Sequence, residues 1–428
     1  MRCGQFMPGS RIGGQPVQLR ITRLQAHPEG PTRHPVIYIP GGPGDAAGQD
    51  VSALQAWRRF QQAAAWPLDL VIVDPRGTGL STPRPFCPTV RGSVGTSRLA
   101  ECFHRLGRGT AERLGARAQV ADLHRLIATL GQGGAVLWAE SYGALIARRL
   151  AVQHPGDVRL LILDSPVLHP LPEKQRQAAA SQRRRRQLLR ACSRELSCRL
   201  AVPSLRATID ALRVWLQKHP ATIAIAQPPL SARFVKIDGQ MLRTLLLLSA
   251  YGHPDDMRVI RLLRRAAAQP AVLAALTGPL MALDRRSPRT APVYWSTRCQ
   301  FAQTRADSGV PAKRASCHQW PISRLPPVRH AVAVPTLVVA GTRDVLTPAA
   351  AAARATLAHP GWQFLPVGGA GHGTIRRDRC AQRVAARFIA HGGAWLGHAA
   401  CPSRTNAGDQ ARHRANERRS NDGERLPR

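Results

Sequence analysis

The sequence predicts an α/β protein in which a mostly parallel sheet carries helices on both faces. Short, nearly all-apolar runs indicate buried strands, helical segments alternate with them, and several of the runs end in glycine-rich turns. Strands that are apolar along their whole length are typical of parallel sheets that are buried on both faces. At 428 residues, the chain can hold one large domain with an insertion, or two domains.

Five predicted strands form the first part of the sheet. The first alternates apolar and polar residues and the others are apolar runs. They lie in PVQLRITRLQA (16–26), HPVIYIPGGPGD (34–45), DLVIVDPRGTGLS (69–81), AVLWAESYG (135–143) and VRLLILDSP (158–166). A helix is predicted at 111–130, because apolar residues recur there at three-to-four spacing, and another follows the fourth strand.

The strand pattern stops after 166 and resumes near 334. The intervening residues are rich in arginine and largely helical in pattern, and they end in a predicted coil rich in Pro, Ser and Cys at 286–328. Two more strands are expected in VPTLVVAGTRDVLTP (334–348) and GWQFLPVGGAGHGT (361–374), before a final helix near 378–391. The predicted organisation is therefore an α/β core of two parts, 1–166 and 329–400, an inserted, mainly helical cap, 167–328, and a disordered basic tail, 401–428.

The formal charge of +36 is extreme, but its distribution is even. Of the 61 basic residues only four are lysines, so 57 are arginines, and they are spread along the whole chain. This indicates a compositional bias, so we expect salt-dependent nonspecific binding of polyanions and no specific nucleic-acid partner. The one dense cluster, RRRR at 183–186, is read as a solvated helix face, with an acidic partner or a lipid head group as the alternative. No uninterrupted apolar run reaches about 18 residues, so no membrane span is predicted.

Nine cysteines indicate disulfides more than metal binding. Three close pairs stand out, and no C-x-x-C spacing or zinc-finger order of Cys and His occurs; the pairs are Cys87 with Cys102, Cys192 with Cys198 and Cys299 with Cys317. Cys3, Cys380 and Cys401 are left over, so at least one thiol is free or paired outside the chain. Disulfides favour a secreted or periplasmic protein. The opening MRCGQFMPGSRIGG does not resemble a signal peptide, so we expect a true start upstream of Met1; the alternative is a cytoplasmic protein with reduced thiols.

Three predicted strand ends supply a possible nucleophile, acid and base. Ser141 follows AVLWAE, Asp344 follows LVVAGTR, and His372 lies among small residues in GAGHGT. Acyl transfer through serine needs a hydroxyl on an exposed turn, a histidine to take its proton and a carboxylate to orient that histidine. The order Ser, Asp, His is the one expected for this architecture. Each residue has a simpler interpretation, namely a helix cap, a turn residue and a surface histidine, so the prediction rests on their conjunction.

The glycine-rich turn PGGPG at 40–44 is a candidate for an oxyanion loop. It lacks the spacing of a phosphate-binding loop and follows an early buried strand. The N–H of Gly42 would be one donor, and the N–H of Tyr142, next to the nucleophile, would be the other. A plain tight turn is the alternative. In the nucleophile turn, Ala139 stands where G-x-S-x-G has its first glycine, while Gly143 keeps the second.

Taken together, YIPGGPG, VDPRGTGLS, AESYG, VPTLVVAGTRDVLTP and GAGHG resemble the α/β-hydrolase-fold serine aminopeptidases of the prolyl iminopeptidase and tripeptidyl aminopeptidase type. The resemblance runs from about residue 16 to 391, and the opening RCGQFMPG is similar to that of secreted members after their signal peptide. It implies that Ser141 is the nucleophile, His372 the general base and Asp344 its orienting acid. It also implies that Asp74 and Arg76 brace the active-site loops, that a cap is inserted into the sheet, and that no cofactor is used.

The resemblance implies a peptide substrate whose α-ammonium group would need a carboxylate partner. Glu173 and Glu195 in the predicted cap and Glu140 beside Ser141 are the candidates, each equally well explained as a solvated or arginine-paired surface group. The expected function is release of residues or short peptides from peptide amino termini. The alternatives are an esterase or amidase for small acyl substrates, and an inactive hydrolase fold that serves as a binding module. No oligomeric state is predicted.

Overall fold

Eleven stretches of the chain are described by the computed structural model: 1–26, 34–87, 96–130, 133–168, 173–227, 230–276, 290–302, 317–328, 332–394, 397 and 399–403. The strands within them are β1 (Arg2–Phe6), β2 (Arg11–Ile12), β3 (Gln15–Pro16), β4 (Leu19–Leu24), β5 (Val36–Ile39), β6 (Leu70–Val73), β7 (Ala135–Glu140), β8 (Val158–Asp164), β9 (Ala221–Gln227), β10 (Leu230–Ile237), β11 (Thr336–Gly341) and β12 (Trp362–Val367).

The helices in the same stretches are α1 (Val51–Ala64), α2 (Thr96–Leu106), α3 (Arg108–Leu114), α4 (Ala116–Leu130), α5 (Gly143–Gln153), α6 (Glu173–Arg194), α7 (Leu196–Ala201), α8 (Leu205–Lys218), α9 (Gly239–Leu248), α10 (Asp256–Ala266), α11 (Ala291–Phe301), α12 (Ala349–Leu357) and α13 (Arg379–Ala390). Short 3₁₀ turns cover Pro155–Asp157 and Pro270–Leu276. Several helices begin at a side-chain cap that accepts a backbone N–H of the first turn: Asp50, Ser204, Asp238, Asp255 and Asp378.

The central sheet confirms the predicted fold class. Within the described residues it has eight strands in the order β1-β4-β6-β5-β7-β8-β11-β12. The pairs β1–β4 and β4–β6 are antiparallel, and every later pair is parallel. All seven strand segments predicted from the sequence contain a strand of this sheet, and the predicted final helix is α13. The helix predicted at 111–130 is divided, because α3 ends before Gly115 and α4 begins after it.

The core lies on both faces of the sheet because alternate strand residues point to opposite sides. Ile37 and Ile39 of β5 belong to a buried cluster with side chains of α4 and α5. Val36 and Tyr38 belong to a second cluster with side chains of α1 and α13. All four residues of β5 are buried, which explains why its sequence is continuously apolar.

Helices α6 to α10 follow β8 and precede α11 and β11, and α6, α8, α9 and α10 share a separate apolar cluster. The prediction of a mainly helical insertion omitted a β-hairpin, in which β9 and β10 pair antiparallel. The predicted coil at 286–328 is wrong in part, since α11 lies within it and has a proline in its first turn, where helices tolerate one. The limits of the cap at 167 and 328 remain a prediction. Beyond residue 403 the predicted tail lies outside the described residues.

All nine cysteines fall within the described residues, and eight of them form disulfides. The three close pairs predicted from the sequence are bonded, and a fourth bond joins Cys380 of α13 to Cys401. Cys3 is the free cysteine and is exposed. The odd thiol expected from the count is therefore Cys3. Among the described helices, none combines the length and the apolar character needed to cross a bilayer.

Candidate active site

Ser141 lies on the sharp turn between β7 and α5. Its φ is 54°, in the left-handed region that residues with a Cβ rarely adopt, and its N–H donates to Asp164 O at 2.8 Å. Two residues later, a Cβ on Gly143 would lie 2.7 Å from the carbonyl oxygens of Ile39 and Pro40, so this position accepts only glycine without a shift of backbone. This strained strand-to-helix turn is the geometry of a nucleophile elbow.

Ala139, which replaces the first glycine of the usual motif, is accommodated within the sheet. It is fully buried in β7, between Ile39 of β5 and Leu163 of β8. Its methyl group is part of the apolar cluster formed with α4 and α5. The turn at Ser141 therefore forms in this structure with alanine at that position.

The three residues predicted to form a catalytic triad lie together. His372 Nε2 is 3.0 Å from Ser141 Oγ, and His372 Nδ1 is 2.8 Å from Asp344 Oδ2. The histidine and aspartate side chains are almost completely buried, at 2% and 0% exposure. With Nδ1–H donating to the carboxylate, Nε2 carries the lone pair that faces the serine hydroxyl, which is the tautomer that a general base needs.

Thr347 is part of this site, although the sequence interpretation did not single it out. Its hydroxyl donates to Asp344 Oδ2 at 2.6 Å and lies 3.1 Å from His372 Nδ1. The other carboxylate oxygen, Asp344 Oδ1, accepts the N–H groups of Leu346 and Thr347 at 2.7 and 2.9 Å. The acid is therefore held by its own turn, in the segment DVLTP. The threonine three residues after the aspartate was the signal available in the sequence.

The glycine-rich turn at 40–44 passes directly beside the serine. A Cβ on Gly41 would lie 3.1 Å from Ser141 Cβ, so glycine permits this approach. Gly42 follows with a φ of 116°, a conformation that favours glycine. Tyr142, the other predicted donor, follows Ser141 at the amino end of α5, where backbone N–H groups and the helix dipole favour negative charge.

A second aspartate, Asp164 at the end of β8, supports the loop that carries the histidine. Its two carboxylate oxygens accept the N–H groups of Thr374 and Ile375, each at 2.9 Å. The neighbouring Ser165 Oγ accepts Gly373 N–H at 3.0 Å. Burial, and after it the charge of nearby Glu140, raise the pKa of Asp164 to about 6. Asp164 was not selected from the sequence, where LILDSP reads only as a strand end.

The three glutamates proposed for the substrate ammonium group lie in different places. Glu140 is half-buried, and its Oε2 accepts a hydrogen bond from Tyr38 Oη at 2.9 Å. Its Oε1 lies 3.1 Å from the position that a Cβ would take on Gly373, so it borders the histidine loop. Glu195 is exposed at the start of α7. Glu173 is the first residue of α6, and its side chain lies outside the described part of the structure.

Asp74 and Arg76, which the resemblance implied as braces of the active-site loops, are both buried and bonded. Asp74 accepts backbone N–H groups from the loops that follow β5 and β6, with Ala47 at 2.8 Å and Leu80 at 2.9 Å. Burial raises its pKa, and those bonds oppose the shift. Arg76 is buried and pairs with Asp122 of α4.

Two family models match this chain. One, described as alpha/beta hydrolase fold, matches residues 34–211. The other, described as TAP-like protein, matches residues 303–401. The first includes Ser141, and the second includes Asp344 and His372, so all three residues lie in matched regions.

Among curated proteins, the chain is 32% identical over 133 residues to a probable proline iminopeptidase of Streptomyces coelicolor, covering 31% of this chain and 33% of that protein. It is 25% identical over 196 residues to the serine protease Hip1 of Mycobacterium tuberculosis, covering 40% of this chain and 37% of that protein. The matches thus span about a third of the length of these relatives. The solved proline iminopeptidase of Mycobacterium smegmatis aligns with 92% of this chain and 99% of its own at a TM-score of 0.50 and 15% identity, which shows a shared fold.

The sheet order and the strained serine turn, together with the family model that matches residues 34–211, define an α/β-hydrolase fold. The curated relatives that it matches are named a probable proline iminopeptidase and a serine protease, and the second family model is the TAP-like one, so the resemblance drawn from the sequence motifs is confirmed.

Proposed function

We propose that this protein is a serine peptidase that releases residues or short peptides from the amino termini of peptides. The observation that carries the proposal is the continuous hydrogen-bonded arrangement of Ser141, His372 and Asp344 on three strand ends of an α/β-hydrolase sheet. The named activities of the two curated relatives, an iminopeptidase and a serine protease, support peptides as the substrate class.

In the proposed reaction, Ser141 Oγ attacks the carbonyl carbon of the scissile peptide bond while His372 Nε2 takes the hydroxyl proton. The N–H groups of Gly42 and Tyr142 donate to the oxyanion that forms. His372 then gives its proton to the leaving amine, and an acyl-enzyme remains on the serine. Water, deprotonated by the same imidazole, then attacks the ester carbonyl carbon. The bond from that carbon to Ser141 Oγ breaks, His372 returns the proton to the serine oxygen, and the product leaves with a new carboxyl group. Asp344 stays ionised and stabilises the imidazolium in both steps.

A fluorophosphonate probe tests the nucleophile. The wild-type protein should be labelled, and Ser141→Ala should abolish labelling while the fold, followed by circular dichroism, is unchanged. Ser193→Ala is the control, because Ser193 is an exposed serine of α6, and this variant should be labelled like the wild type. Labelling that persists in Ser141→Ala would contradict the proposed role. A well-folded wild-type protein that is not labelled would favour a binding module.

Aminoacyl-nitroanilides with free and with blocked amino groups test the substrate class. An aminopeptidase should turn over the free amines and discriminate against the blocked forms, because the ammonium group would need a carboxylate partner in the site. Glu140→Gln, with Glu195→Gln as its exposed counterpart, tests which carboxylate provides that partner. Equal turnover of both substrate forms would contradict an aminopeptidase, and turnover of simple esters alone would favour an esterase.

We also propose that the protein works in an oxidising compartment outside the cytoplasm. Four disulfides among the described residues support this, because such bonds persist where thiols are not kept reduced. Fractionation of cells that express the full coding region, followed by thiol labelling of the isolated protein, tests it. Recovery in the cytoplasm with nine reactive thiols would contradict it.

A further inference from the structure

The arginine run of α6, predicted as a solvated face, is solvated only in part, because some of its side chains contact the loop that holds the predicted triad acid. Arg183 Nε donates to the carbonyl oxygen of Val345 at 2.8 Å, and Gln187 Nε2 donates to that of Arg343 at 2.9 Å. These two carbonyls flank Asp344 on either side. The helix therefore holds the main chain around Asp344 without touching its carboxylate.

A buried ion network lies next to these contacts. Arg184 Nη1 donates to Asp256 Oδ1 at 2.7 Å, and the other carboxylate oxygen pairs with Arg343 Nη2. The side chains of Arg184 and Asp256 are 1% and 7% exposed, so water screens their interaction little. One carboxylate of α10 thus joins a cation on α6 to the residue that precedes Asp344. Removal of one partner from such a network leaves an uncompensated buried charge.

The same inserted region also contacts the loop that carries His372. The N–H of His372 donates to Ala250 O at 3.1 Å, and the N–H of Gly252 donates to His372 O at 3.0 Å, which makes a short β-bridge. The ring of Tyr251 lies edge-on to the imidazole, with centroids 5.0 Å apart. Ser249 Oγ accepts from Arg184 Nη2 at 2.9 Å, so the arginine also supports the start of this bridging segment.

We infer that Arg184, Asp256 and Arg343 are positioning residues that hold the Asp344 loop and the His372 loop in register for the reaction. In this view the inserted region braces the triad, in the sense that it supports the two loops that carry its acid and its base. The three side chains touch neither the serine nor the imidazole, and they act through the backbone on either side. The inference rests on the proposed function, because it assigns these residues a task in that reaction.

The test measures the rate per competent site, which separates positioning from folding. Fluorophosphonate titration counts the active sites, and the rate constant of labelling and the kcat and KM for an aminoacyl-nitroanilide are then expressed per titrated site. Arg184→Gln should lower the labelling rate constant and kcat by roughly tenfold or more, since small displacements of catalytic groups are costly, with KM changed by less than about twofold. Arg184→Lys, which keeps the charge, should recover part of the loss.

Arg186→Gln is the matched control, because Arg186 belongs to the same run and is exposed. It should leave every parameter at the wild-type value. If Arg184→Gln fails to fold, Gln187→Ala removes one contact to the same loop without leaving a buried charge, and it should show a smaller loss of the same kind. The inference would be overturned if these variants kept the wild-type rate per titrated site and only the number of active sites fell. The residues would then have a purely structural role.

The labelling rate also separates this inference from the proposed substrate class. A wild-type protein that is labelled but cleaves no peptide would contradict the peptidase proposal. The labelling rates of the variants would still test whether Arg184 and its partners position the triad. A protein that labels and cleaves peptides, with the Arg184 variants as fast as wild type, would contradict the brace alone.

Discussion

His372 Nδ1 lies 2.8 Å from Asp344 Oδ2, and both side chains are shielded from water by the surrounding loops. Because the carboxylate accepts from Nδ1–H, it fixes the imidazole tautomer that leaves Nε2 free of a proton at Ser141. This contact makes Asp344 the orienting residue of the proposed mechanism. Replacing it with asparagine would keep the shape of the side chain and remove its charge.

Asp344→Asn should lower kcat by about 10³- to 10⁴-fold, because an amide at this position can donate to Nδ1 and stabilise the wrong tautomer. The measurement is kcat on an aminoacyl-nitroanilide, with the fold checked by circular dichroism. Asp256→Asn, which lies outside hydrogen-bonding distance of the imidazole, is the comparison and should be clearly less severe. An Asp344→Asn enzyme within tenfold of wild type would show that another group orients the histidine.

Ala139→Gly should change the reaction rate little and should lower stability. The alanine methyl is already packed in β7 between two strands. Its removal should therefore leave the backbone conformation at Ser141, and with it the reaction rate, unchanged. Glycine within a strand costs about 0.5–1 kcal/mol of unfolding free energy relative to alanine. Urea unfolding and kcat/KM measured on the same preparation test both statements. A large gain in rate would show that the methyl group slows the wild-type enzyme.

Most of the sheet was predictable because a strand that is buried on both faces has a continuous run of apolar residues in its sequence. Val36–Ile39 and Leu70–Val73 are two such runs, and the turns after them carry the glycines and Asp74. Ser141, Asp344 and His372 were found together because each follows a strand at the same edge of a parallel sheet. The local sequence was therefore sufficient to predict the strands, and the strand topology was sufficient to predict that these three residues lie together.

The insertion was less predictable because its contacts are long-range. The RRRR run has the composition of a solvated face, and nothing local distinguishes exposed Arg186 from buried Arg184. The difference depends on Asp256, which is 72 residues away. Asp164 was missed for a similar reason, since its partners are backbone N–H groups more than 200 residues further along the chain.

Loss of the bond between Cys380 and Cys401 should destabilise the carboxyl end of the core. The bond closes a loop with a sequence separation of 21 residues between α13 and a segment that bridges to Val367 of β12. Chain-entropy estimates give about 3 kcal/mol for a loop of that size. A double replacement of both cysteines by serine should therefore lower the midpoint of thermal unfolding, while Cys3→Ser, the control, should leave it unchanged. Equal midpoints in all three proteins would contradict the prediction.

The buried Asp164 should impose a pH dependence on stability. Its pKa is raised from 3.8 to about 6 in the folded protein, mainly by burial, so between these values the folded state binds more protons than the unfolded state. Stability contributed by this group is therefore present below about pH 4 and is lost as the pH rises to 6. The total change is roughly 3 kcal/mol, since each pKa unit corresponds to about 1.4 kcal/mol.

Urea unfolding of wild type and Asp164→Asn at a series of pH values isolates this contribution, because the other buried carboxylates titrate in both proteins. The difference in unfolding free energy, wild type minus variant, should fall between about pH 4 and 6 and then stay level. Glu140→Gln should move that fall to lower pH, because it removes the nearby charge that helps to raise the pKa of Asp164. Parallel stability curves for wild type and Asp164→Asn would show that Asp164 titrates normally and that its two backbone hydrogen bonds offset the cost of burial.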